Sequence, residues 1–144
     1  MFKTILVALD GSGPGQAALR LALDMGKRCD AEVKALHVPH VVGDVVMAGT
    51  MPIHYPAPPS LIEEAVSHVR ASMIPIASEL GLQAPELIVR SGDPTQEVLR
   101  AIEEVNADLL VMGRRGLGNV SGLLLGSVTQ KVQARAACPV LTVV

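Results

Sequence analysis

The apolar residues of this chain follow two rhythms. One is continuous: Ile5-Leu6-Val7-Ala8-Leu9 has no polar interruption, and continuity rather than alternation marks a strand covered on both faces. By the same criterion further strands are expected over Val33 to Val38, Glu86 to Arg90, Asp108 to Met112 and Pro139 to Val144. The other rhythm is helical. Ala17, Ala18, Leu21, Ala22 and Met25 recur at helix spacing with Gly26 near the end. Leu61, Ile62, Ala65, Val66, Val69 and Met73 form a second stripe that reaches Leu80, where Gly81 stops it. Within it Pro75 removes a backbone donor, which predicts a kink or a restart. Asp93 and Pro94 supply a cap and a first-turn proline for a third helix bearing Val98, Leu99, Ile102 and Val105. A fourth is expected over Ser127 to Ala137, with Val128, Val132 and Ala136 on one side and Lys131 and Arg135 toward water.

Strands and helices therefore alternate. That order predicts an α/β fold: a three-layer, doubly wound parallel sheet of five strands with right-handed crossovers. Flavodoxin-like and Rossmann-like arrangements both satisfy it. Pro39 to Pro59 does not fit a minimal connection, being about twenty residues long with prolines at 39, 52, 56, 58 and 59. Connections beyond about 12–15 residues are usually functional or disordered. The segment is expected to be a surface excursion, or a flap that brings Met47, Met51 or Tyr55 to a pocket or a subunit contact.

Composition narrows function more than fold. At 144 residues the chain has the size of one domain, taken as 1–144. With 49% hydrophobic and 18% charged residues it is too apolar to stay unfolded. A formal charge of −2 offers no positive field to DNA or RNA, and one Phe, one Tyr and no Trp offer few rings for stacking bases. No nucleic-acid partner is expected. Apolar runs stop at five residues, whereas a spanning helix needs about 20, and Met1-Phe2-Lys3-Thr4 opens neither a signal nor a transit peptide. A cytoplasmic protein without membrane contact follows. Cys29 and Cys138 are far apart and outside any Cys-x-x-Cys, so they are read as buried structural thiols.

In a doubly wound sheet, ligands bind beyond the carboxyl ends of the strands, where neighbouring connections leave to opposite faces. Asp10-Gly11-Ser12 follows the first strand and Gly113-Arg114-Arg115-Gly116 the fourth. If the strand order is 3-2-1-4-5, both loops open on one crevice. From Gly113 the spacing is Gly-x2-Gly-x9-Gly-Ser, ending at Gly126-Ser127 where the fourth helix begins. Glycines admit a phosphate close to the backbone, and the first N–H groups of a helix are unpaired donors at a positive dipole end. Ser127 and Thr129 add hydroxyl donors, while Asp10, an acceptor, suits ribose hydroxyls. A bland alternative is that these glycines merely shape a turn and a cap. No Gly-x4-Gly-Lys-[Ser/Thr] is present, and the dinucleotide fingerprint fails because Ser121 follows Gly116-Leu117-Gly118 where its third glycine belongs.

Over essentially its whole length the chain resembles the universal stress protein family. The resemblance is carried by Ile5 through Ser12, His37-Val38, Gly92-Asp93-Pro94, Met112 through Gly116, Leu125 through Thr129, and Cys138 through Val144. Gly-x2-Gly-x9-Gly-[Ser/Thr] marks that family's ATP-binding branch. The resemblance implies a five-stranded parallel sheet of order 3-2-1-4-5, Rossmann-like and akin to adenine nucleotide alpha hydrolases. It implies that Asp10 meets ribose, that Ala8 and Val38 flank adenine, and that Gly113, Arg114, Gly116, Gly126, Ser127, Val128 and Thr129 hold ribose and phosphates. Leu9 and Met112, at the ends of their strands, complete the set. It also implies a homodimer through the final strand, Val140 to Val144. An edge strand apolar on both faces wants a cover for its own reasons. Nothing transfers to Pro39 to Pro59, nor to Arg115.

Other candidates have simpler uses. Asp93 has the geometry of a helix cap. His37, His40, His54 and His68 lack a Cys or carboxylate to complete a metal set. No Ser, His and Asp arrangement supports nucleophilic catalysis. The expectation is an ATP-binding switch of the stress response, with Mg²⁺ accompanying the nucleotide, and at most a weak ATPase. Its rivals are a slow ATP hydrolase or phosphoryl-transfer enzyme, and a dimeric interaction module that binds no nucleotide.

Overall fold

The computed structural model describes residues 1–39, 43, 45–116 and 125–144. Among them the order is β1 (Thr4–Leu9), α1 (Gly13–Cys29), β2 (Glu32–His37), β3 (Val45–Ala48), β4 (Met51–His54), α2 (Pro59–Glu79), β5 (Glu86–Val89), α3 (Pro94–Glu104), β6 (Leu109–Gly113), α4 (Ser127–Arg135) and β7 (Val140–Val143). Five strands form one parallel sheet in the order β5-β2-β1-β6-β7. Counted along that sheet alone, this is 3-2-1-4-5.

Why β1 is apolar throughout is visible in its neighbours. Ile5, Val7 and Leu9 pack with Leu19 and Leu23 of α1 and with Val69, Met73 and Ile76 of α2. Leu6, on the opposite pleat, packs with Val98 and Ile102 of α3 and Val132 of α4. Two cores therefore share one sheet, and burial of each such side chain contributes roughly 1.5–3 kcal/mol. β1 lies between β2 and β6, so the segments that follow β1 and β6 begin side by side.

Several boundaries differ from the sequence expectation. α1 runs past Gly26 to Cys29 and closes at Asp30, which takes the left-handed conformation at φ 55°. Gly26 serves packing instead. A Cβ there would collide with Cγ2 of Val33, so the bare glycine lets the helix lie against β2. α2 continues through Pro75 as one element, with no restart. α4 ends at Arg135 rather than Ala137. Cys29 and Cys138 are free and only half-buried, not the buried thiols expected. Burial still pushes the Cys138 thiol above its ordinary pKa.

The proline-rich excursion contains a hairpin. β3 and β4 pair antiparallel, Val45 opposite His54 and Ala48 opposite Met51. The two-residue link Gly49-Thr50 turns at a positive φ of 66° on Gly49, as a primed hairpin turn requires. All eight strand residues are exposed. Met47, Met51 and Tyr55 lie on the surface and not in the cavity described below. His40 and 117–124 lie outside the described residues.

Candidate functional site: a cavity at the carboxyl edge of the sheet

Because β1 and β6 are adjacent, the loops that follow them open on one cavity of about 590 Å³. Ala8, Leu9 and Asp10 line it at the end of β1, and Val38 after β2. Met112, Gly113 and Gly116 come from β6 and its loop, and Gly126 through Thr129 from the start of α4. Arg114 is the exception. Its backbone N–H donates to the Val143 carbonyl at 2.6 Å and its carbonyl accepts from Gly126 N–H at 2.8 Å, so it joins β7 to the start of α4. Arg115 lines the cavity instead.

The two sides of the cavity are built differently. At α1, Ser12 is the N-cap: its hydroxyl accepts from Gly15 N–H at 3.2 Å and donates to Asp10 Oδ1 at 2.5 Å. Asp10 Oδ1 also accepts from Ser12 N–H at 2.9 Å, which fixes the carboxylate against its own loop. At α3, Asp93 accepts from Gln96 N–H at 2.9 Å, as the sequence predicts of a cap. At α4 the N-cap is Gly126, and among the described residues no side chain caps the helix. Ser127, Val128 and Thr129 of its first turn line the cavity, which places the positive end of the helix dipole at that edge.

The three glycines of the phosphate-type spacing have separate reasons. A Cβ at Gly113 would stand 3.0 Å from Pro14, and one at Gly116 would stand 2.5 Å from Asp10 Oδ2. At those two positions Pro14 and the Asp10 carboxylate would have to give way. At Gly126 a Cβ would meet its nearest described neighbour, Arg115 Cα, at an ordinary 3.4 Å. Its φ of −67° suits any residue. Among the described residues nothing internal demands glycine there. The Thr129 hydroxyl, expected as a donor to ligand, donates to the Gly113 carbonyl at 3.0 Å. Ser127 is exposed and keeps its hydroxyl at the rim.

Sequence reasoning missed the rest of the lining. α2 contributes Ala65, His68 and Val69, and the start of α3 contributes Asp93, Pro94 and Thr95. These come from remote stretches of chain, and only the winding of the helices brings them here. His37 also lines the cavity and is buried. Its Nδ1 lies 2.8 Å from the Leu9 carbonyl, which can only accept, so the proton is assigned to Nδ1. Lys131, one turn beyond Ser127 in α4 and expected only to face water, borders the cavity.

Comparison with known proteins assigns the lineage. A family model described as the universal stress protein family matches residues 1–144. The chain belongs to the universal stress protein family. It is similar to the universal stress protein YxiE of Bacillus subtilis, at 35% identity with 99% of each chain covered. A Thermus aquaticus universal stress protein, encoded in the QAH/OAS sulfhydrylase 3′ region, is 37% identical, again over 99% of each. Among solved structures, UspA from Lactobacillus plantarum superposes with a TM-score of 0.76 at 25% identity, covering 99% of this chain and 97% of that one. A universal stress protein in complex with cAMP gives a TM-score of 0.61 at 28% identity, covering 99% and 97%. The five-stranded order is thus that of universal stress proteins. Among the described residues no helix is long and apolar enough to cross a membrane.

Proposed function

We propose that this universal stress protein binds an adenine nucleotide in the carboxyl-edge cavity, with ATP as its ligand, and works as a one-domain, cytoplasmic, homodimeric switch. The observation that carries the reading is the start of α4: among the described residues, a helix without a side-chain cap opens onto the cavity behind a glycine whose neighbours leave room for a Cβ. The cAMP complex of a universal stress protein of the same fold supports the choice of an adenine nucleotide.

The residues fit such a ligand. Backbone amides at Ser127, Val128 and Thr129 take the place of a P-loop lysine and hold phosphate oxygens. Asp10, held by Ser12, offers its carboxylate to ribose hydroxyls across from Gly116. Ala8 and Val38 present backbone to the base, Leu9 and Met112 give it apolar walls, and Gly113 lets the β6 loop lie close. Arg114 acts through its peptide, which ties the start of α4 to β7. Mg²⁺ travels with the phosphates, with the exposed Ser127 hydroxyl within reach of that end of the site.

β7 pairs with β6 on one side and with no described strand on the other. A second copy related by a two-fold axis covers that edge, residues Val140 to Val144 of each meeting in a self-complementary contact. A switch further requires that bound and free forms differ in affinity for a partner. Equilibrium dialysis of the purified protein against labelled ATP tests the reading. Saturable retention with turnover below about 1 s⁻¹, the low end of ordinary enzymes, is expected. Faster turnover transfers the protein to the hydrolases, and no retention at millimolar ATP makes it an interaction module.

A further inference from the structure

The charged groups of the cavity are unequally engaged. Its carboxylates, Asp10 and Asp93, accept hydrogen bonds from Ser12 and Gln96. Its long cationic side chains, Arg115 and Lys131, have no carboxylate within salt-bridge distance among the described residues. Both flank the same opening. The Arg115 backbone abuts the start of α4, its Cα 3.4 Å from where a Cβ on Gly126 would stand. Lys131 sits four residues after Ser127, on the same helix face, and a helical side chain leans back toward the N-terminus. A single phosphate held by the α4 amides would leave these two cations over.

We infer that Arg115 and Lys131 read the length of the phosphate chain, so that the cavity selects nucleoside triphosphates over monophosphates. The inference rests on the adenine-nucleotide reading above and adds to it the residues that discriminate. Charge-assisted bonds from guanidinium and ammonium groups to phosphate oxygens are the stronger kind, and they form only when β- and γ-phosphates are present to receive them. The backbone amides of α4 bind the first phosphate of every nucleotide alike. Selectivity between ATP and AMP is then a difference in affinities set by the two side chains.

Titration calorimetry with ATP, ADP, AMP and adenosine, on the full chain and on Arg115→Met, Lys131→Met and the double variant, tests this. The expected ATP-to-AMP affinity ratio is about 100-fold for the parent and about tenfold lower in each single variant. Arg115→Lys and Lys131→Arg restore most of it. In the parent, added salt weakens ATP more steeply than AMP, a readout independent of whether any variant folds. Equal parental affinity for ATP and AMP, or variants that weaken all four ligands by one factor, overturns the inference while leaving the adenine site intact. Failure of all four to bind the parent at millimolar concentration removes the adenine site, and this inference with it.

Discussion

α1 and α4 both begin at the edge of the same cavity, and they begin in opposite ways. α1 is closed: Pro14 lacks an N–H, Ser12 caps the first turn, and Asp10 holds Ser12 in place. α4 is open: Gly126 has no side chain to fold back, and among the described residues the helix carries no side-chain cap. A glycine at the N-cap costs only a few tenths of a kcal/mol beside Ser or Asp, and it leaves the first-turn amides of α4 without a side-chain acceptor of its own at the edge of the cavity. The closed start positions a carboxylate, and the open start leaves donors for an anion.

The largest way to break this contrast is to fill the open start. Gly126→Val is expected to weaken ATP about 100-fold, because a branched side chain stands where phosphate must approach the amides. The melting temperature should move by only a few degrees, since φ −67° and a 3.4 Å clearance admit a Cβ. Calorimetry beside a melting curve checks both, and a folded variant with parental affinity refutes the cradle. Asp10→Ala comes next. It should weaken ATP about tenfold and 2′-deoxy-ATP less, as a ribose contact demands. Equal losses for the two nucleotides withdraw the ribose assignment.

Ser12→Ala sharpens the comparison from the closed side. It removes the α1 cap and one Asp10 partner, so a stability loss of about 1–2 kcal/mol is expected in denaturant unfolding, with a smaller change in ATP affinity. A variant as stable as the parent means the cap is idle. The smallest effect concerns Cys138, remote from both starts. Burial disfavours its thiolate, which raises the pKa, so the thiol form persists above the usual cysteine pKa. Alkylation of Cys138 should therefore accelerate only at pH values above those that activate a free cysteine; a rate equal to that of a free thiol at neutral pH contradicts it.

Much of the frame was legible because burial on both faces leaves a simple mark. Ile5 to Leu9 and Asp108 to Met112 read as strands from their apolar runs, and the adjacency of β1 and β6 in the sheet brings Asp10 and Gly113 to one crevice. The hairpin was obscured by the prolines around it, although Gly49-Thr50 between two apolar runs was its signal. Gly26 is ambiguous in the sequence because a glycine near a helix end can stop the helix or admit a neighbour, and only Val33 decides between them. Arg114 and Arg115 are equivalent as letters. The register of β7 makes the difference, since Val143 claims the Arg114 amide. The α2 wall, Ala65, His68 and Val69, follows from helix packing that no local pattern encodes.

Amide chemical-shift mapping of the labelled protein during an ATP titration bears on the central claim most directly. Saturable shifts largest at Ser127, Val128 and Thr129, with companions at Gly113 and Asp10, are predicted. Saturation with those amides unmoved, or shifts confined to the smaller cleft between α3 and α4 near Arg100 and Arg135, would contradict it.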